Sequence, residues 1–117
     1  MADVLAIHDR QLELFGGAEG VRDAGLIEAA LQRPQSGYYS DIVEEAAALW
    51  ESLSMNHGFV DGNKRIGYAA TYTFLALNGV VIEGDENDPA DFALTALADG
   101  TFNKDTIEDW LHRHLPK

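Results

Sequence analysis

A chain of 117 residues fits one domain, and a domain of that size buries roughly two thirds of the surface its unfolded form exposes. Eight Lys and Arg against twenty Asp and Glu leave a net charge of -12, which repels polyanions and speaks against nucleic acid or an anionic membrane surface as a partner. Cysteine is absent, which excludes disulfides, thiolate catalysis and cysteine metal sites and fits a reducing compartment.

The opening MADVLAIHDRQLELF carries acidic residues and lacks the basic start and apolar core of a signal peptide. Its apolar spacing predicts a helix from about Val4 to Phe15, stopped at Gly16-Gly17, where glycine can take the left-handed conformation that ends helices. Asp23 is the expected N-cap of a short helix through Leu26, Ile27, Ala30 and Leu31 that ends before Pro34. PQSGYYS, Pro34 to Ser40, is turn-rich with two aromatics and reads as a small flap. From Asp41 to Asn56, the stripe Ile42, Ala46, Leu49, Trp50 and Leu53, with Glu44, Glu45 and Glu51 off it, predicts an amphipathic helix.

The next helix, NKRIGYAATYTFLALN from about Asn63 to Asn78, is apolar on almost every side past its first three residues, so it is expected at the centre of the fold, buried on all faces. Asn78-Gly79 closes it, VVIEG reads as a short extended piece, and Asp88-Pro89 opens another helix. The last one runs from Asp105, or Asn103 as cap, to His114. No run approaches the ~18 apolar residues of a membrane span. These elements predict one all-α domain over residues 1–117, about six short helices around a buried one, in the cytoplasm.

The segment MNHGFVDGNKRIG, Met55 to Gly67, holds an electrostatic oddity: Lys64 and Arg65 open a helix whose N-terminus already carries partial positive charge. A bound phosphate explains them, because unpaired N–H groups and the dipole make such a terminus an anion site, and Gly62 lets the backbone come close. Asp61 offers the hard oxygens that a phosphate-bridging Mg2+ takes, and His57, four residues earlier, is placed to accept a proton from an incoming hydroxyl. A base, a metal ligand and a phosphate cradle are what phosphoryl or nucleotidyl transfer requires.

Plainer roles exist for several of these residues. Asp61-Gly62 with Asn63 is also a good turn and N-cap, and His57 also suits the end of the preceding helix as a dipole partner. Phe59 reads as an anchor pinning the loop to the core. A Walker A loop is excluded, because GFVDGNKR has neither its spacing nor its hydroxyl. His112 and His114 lie on different helix faces and are expected in solvent, and His8 reads as a structural histidine that could alternatively reach the site from the first helix.

HGFVDGNKR resembles the signature of the Fic/Doc superfamily, His-x-Phe-x-Asp/Glu-Gly-Asn-x-Arg, with His57, Phe59, Asp61, Gly62, Asn63 and Arg65 all matching. IHDRQLELFGG, GLIEAALQRPQ and FLALNG extend the resemblance loosely over nearly the whole chain, toward the compact death-on-curing (Doc) branch. It implies a helical Fic/Doc fold with the motif between two central helices, His57 as base, Asp61 holding Mg2+, and Asn63, Lys64, Arg65 and the helix N-terminus holding nucleotide phosphates.

Two departures from the adenylylating Fic pattern bear on the chemistry. Lys64 stands where that pattern has glycine, and Tyr68 where it has a second arginine. In the Doc branch the same lysine accompanies a reversed nucleotide that presents its γ-phosphate. The resemblance therefore implies an ATP-dependent kinase acting on a Ser or Thr hydroxyl of a translation elongation factor. Nucleotidyl transfer to a protein hydroxyl and a catalytically silent binding module are the alternatives; Gly62 follows the Fic pattern, whereas the best-known Doc form has alanine. The inhibitory Ser/Thr-x-x-x-Glu-Gly/Asn helix of many Fic proteins has no clean copy here, SDIVEE from Ser40 being nearest. The resemblance thus implies a separate Phd-like antitoxin whose disordered tail folds as a helix into a groove, and the acidic composition suggests a basic tail. The flap is expected to align target peptide.

Overall fold

The computed structural model describes residues 2–35, 37, 39, 41–83 and 88–115. Among them are six α-helices: α1 (Ala2–Phe15), α2 (Ala24–Gln32), α3 (Ile42–Met55), α4 (Asn63–Leu77), α5 (Asp88–Asp99) and α6 (Lys104–His114). The all-α architecture expected from the sequence is the one observed. Three helix starts are set by side-chain caps: Asp23, Asp41 and Asn103 accept from the N–H groups of Leu26, Glu44 and Thr106 at 3.2, 2.9 and 3.0 Å, each cap contributing ~1 kcal/mol. α2 ends at Gln32, before Pro34, as expected; a 3-10 turn then follows over Arg33–Gln35 with Pro34 buried, a tightened geometry compatible with proline's fixed φ. Of the flap, Ser36, Tyr38 and Ser40 lie outside the described residues, as does the start of SDIVEE.

The two middle helices exchange the parts the sequence assigned them. α3, expected to be amphipathic, is the buried one: Val43, Ala46, Ala47 and Trp50 face a cluster with Leu75, Phe102, Ile107, Trp110 and Leu111, while Leu49 and Leu53 face another with Val4, Ile27, Phe59, Ile66 and Ala70. Its run of alanines lets neighbouring helices approach closely from both sides, which a hydrophobicity pattern alone understates. α4, expected to be buried all round, buries Ile66, Gly67, Ala70, Thr71 and Leu75 but leaves Tyr72 41% and Leu77 82% exposed. Period counting cannot tell a core face from an apolar face kept open.

One glutamate of α3 ties Arg33 of the 3-10 turn to the start of α6. Glu51 Oε1 accepts from Arg33 at 2.6 Å and Oε2 from the Lys104 N–H at 2.8 Å, tying the turn after α2 and the start of α6 to one carboxylate. Glu51→Ala is therefore expected to destabilise the fold by about 2 kcal/mol, read as a lower urea midpoint with unchanged slope.

Toward the C-terminus, His112 is exposed as expected, but His114 is not. Its ring stacks on Trp110 at 3.9 Å, Nδ1 donates to the Trp110 carbonyl at 2.8 Å, and its own carbonyl accepts from Glu83 N–H at 2.7 Å. Four residues along a helix bring two rings onto one face, and the stack leaves the imidazole only partly exposed. Val80–Glu83, expected to be extended, forms no strand among the described residues. No described helix is long and apolar enough to cross a membrane.

Candidate active site

α3 ends at Met55 with Asn56 as C-cap, and the chain turns at His57, the only non-glycine residue with positive φ (53°) among those described. A side chain in the left-handed region costs on the order of 1 kcal/mol, histidine tolerating it better than most. His57 is exposed, and its imidazole has no hydrogen-bond partner among the described residues. The ring's placement is set by its backbone.

Phe59 is the anchor expected from the sequence, 1% exposed and stacked on His8 at 3.9 Å. His8 is structural rather than part of the reacting surface: it is buried, and Nε2 donates to the Asp61 carbonyl at 2.8 Å. Asn63 clamps the loop from the other side, accepting from Phe59 N–H and donating to Phe59 C=O, both at 3.0 Å. That side chain is committed, so a phosphate role for Asn63 rests on its main-chain N–H. The cap of α4 is Gly62 at φ 76°, with no side-chain cap bond, and the first intrahelical bond runs from Ile66 N–H to Gly62 C=O at 2.9 Å. The turn-and-cap alternative with Asn63 as cap does not describe this junction; the helix mouth is open, with the N–H groups of Asn63, Lys64 and Arg65 ahead of the first bond.

Asp61 lies at that mouth. Its Oδ2 accepts from Ala18 N–H at 3.1 Å and Oδ1 from Gly62 N–H at 2.8 Å. These two donors, with Arg65 and His8 close by, hold the carboxyl below its ordinary range, so it stays ionised. Each oxygen keeps a lone pair for a hard cation. Among the described residues no group of three or more acidic, histidine or cysteine side chains converges on a metal position.

The two cations differ in their surroundings. Arg65 Nη1 donates to the Gly16 carbonyl at 3.3 Å and the guanidinium lies 5.2 Å from the Phe15 ring, so the C-terminal dipole of α1 offsets its position at the start of α4. Lys64 is exposed and has no hydrogen bond or ion pair among the described residues. It is the cation that no structural contact explains.

Lys64 and Arg65 open onto a groove of about 1310 Å³ between α1, α4 and α5. Its floor includes Trp50 and Tyr68, and its walls Phe15, Tyr72 and Leu94. Burial pushes the Tyr68 phenol up to about 12, so it stays neutral. Among the described residues, the charged groups of the lining are Arg10, Lys64 and Arg65 against Glu83.

Sequence reasoning overlooked the segment between α1 and α2. Gly17, read only as a helix stop, passes so near the site that a Cβ there would lie 2.8 Å from Asp61 Oδ2, and Ala18 and Arg22 bond the site's loop through contacts far apart in sequence.

The model of the family described as Fic/DOC matches residues 1–75. Toxin Doc of Mycolicibacterium smegmatis is 42% identical over 99 residues, covering 80% of this chain and 76% of that protein. Protein kinase doc of Escherichia phage P1 is 30% identical over 115 residues, covering 95% of this chain and 90% of that one.

Proposed function

The chain belongs to the Fic/DOC family, and on that premise we propose that it is a Doc-type toxin transferring the γ-phosphate of ATP to a Ser or Thr hydroxyl of a translation elongation factor. The observation that carries the proposal is the open N-terminus of α4, where Lys64, with no partner among the described residues, lies close in sequence to an ionised Asp61 and an exposed His57. His57 removes the proton as the hydroxyl oxygen forms its bond to γ-phosphorus, and the bond from phosphorus to the β,γ-bridging oxygen breaks to release ADP. The N–H groups of α4, Lys64 and Arg65 receive the phosphate charge. Asp61 would hold Mg2+, which when bound neutralises phosphate oxygens. Gly62, without Cβ, keeps the turn into the helix relaxed at its positive φ.

Lys64 and the neutral, half-buried Tyr68 support γ-phosphate transfer, since a phenol cannot grip phosphates as an arginine does. Gly62 favours the alternative of Fic-type nucleotidyl transfer. The purified protein, incubated with an elongation factor and ATP labelled at either the α or the γ position, is expected to transfer only the γ label; α label on the target would establish the nucleotidyl reaction instead. The groove beside α4 suits the tail of an antitoxin folding as an amphipathic helix with acidic groups facing Lys64 and Arg65. Its occupation would cover Tyr72 and Leu94, which are otherwise 41% and 64% exposed. Such a toxin acts in the cytoplasm.

A further inference from the structure

The segment from Gly16 to Asp23 lies antiparallel along the loop that carries the site. Gly20 C=O accepts from Val60 N–H at 3.0 Å, Val21 bridges Phe59, and the N–H groups of Arg22 and Asp23 share the Gly58 carbonyl at 2.8 and 2.9 Å. Arg22 reaches one step further with its side chain. Nε donates to the His57 carbonyl at 2.6 Å and Nη2 to the Asn56 carbonyl at 3.4 Å, so one edge of the guanidinium spans two successive carbonyls.

That edge fits the carbonyls only while their backbone keeps its present shape, Asn56 right-handed at φ -78° and His57 left-handed at φ 53°. Returning His57 to negative φ would swing its carbonyl away from Nε. Because the imidazole has no partner of its own among the described residues, the backbone at His57 is the handle that fixes the ring. We propose that Arg22 is a positioning residue: it holds His57 in the left-handed conformation that directs the imidazole to the mouth of α4. The proposal rests on His57 being the base of the transfer reaction.

A purely structural Arg22 would supply positive charge at the C-terminus of α3, where orphan carbonyls and the helix dipole welcome it. Lysine keeps that charge but lacks the fork that spans two carbonyls. Arg22→Lys is therefore expected to melt near the wild-type temperature and to keep KM for ATP, while kcat falls about a hundredfold, the scale of loss when a reacting group is displaced by about an ångström. In the unliganded protein its His57 ring resonances should shift while those of His112 on α6 stay in place. Wild-type kcat in Arg22→Lys, a KM rise that accounts for the lost activity, or unmoved His57 resonances would each overturn the proposal. His57→Ala run alongside separates the two ideas: if it still transfers phosphate, the base assignment falls, and the resonances alone decide whether Arg22 positions the ring.

Discussion

His57→Ala is expected to lower the transfer rate by about a thousandfold, the middle of the range for removing a general base, with nucleotide affinity nearly unchanged. The N-terminus of α4 and the Asp61 carboxylate do not depend on the imidazole: Asp61 is held by Ala18 and Gly62, and Arg65 by Gly16. The residue's backbone makes the experiment more informative. At φ 53° alanine is disfavoured, whereas asparagine tolerates the left-handed region and glycine enters it freely. His57→Asn should thus be as inactive as His57→Ala yet more stable, and His57→Gly should match or exceed wild-type stability by up to about 1 kcal/mol. A histidine kept where glycine would fit better is what a working side chain predicts. Rates near wild type in all three variants would leave His57 without a chemical role, and nucleotide titration by calorimetry would show whether binding alone survives.

What could be read from the sequence was what lies close along the chain. His57, Asp61, Lys64 and Arg65 fall within nine residues, so the roles proposed for them needed no tertiary information, and Asp23 and Asn103 cap their helices through N–H groups three residues on. Other features depended on distance. The guanidinium that holds His57 comes from 35 residues upstream, and the N–H that binds Asp61 from 43 residues upstream. Asn63 illustrates a different limit: its residue type and place fit a cap, yet its amide finds both a donor and an acceptor on Phe59 and turns backward. The exchange of roles between α3 and α4 has the same physical origin as the groove. Tyr72 looks like core by period, and only packing shows that α1 and α5 stand apart from it.

Gly67→Ala should be costly for a substitution that ordinarily helps a helix. An alanine in place of an interior glycine gains about 1 kcal/mol in propensity, and Gly67 has no positive φ to forbid a side chain. Its neighbourhood forbids one instead: a Cβ would collide with Ser54 Oγ and lie 3.1 Å from the Trp50 carbonyl oxygen and 3.2 Å from Trp50 Cδ1. The first atom can rotate away, but the second is main chain of the most buried helix. α4 must move off α3, and the expected net loss is about 3 kcal/mol, at the upper end for overpacking, or roughly 10 °C in melting temperature for a domain of this size. Ser54 allows the cause to be isolated. Its hydroxyl is buried without a hydrogen-bond partner among the described residues, so Ser54→Ala alone should be neutral or slightly stabilising. Combined with Gly67→Ala it should recover about 1 kcal/mol through direct coupling, leaving the loss due to the Trp50 carbonyl. Additive effects in this cycle would mean that Ser54 does not limit the approach. Because Lys64 and Arg65 lie less than one turn before Gly67, displacement of α4 should also weaken nucleotide binding in Gly67→Ala, and the Ser54→Ala partner should restore binding and stability together.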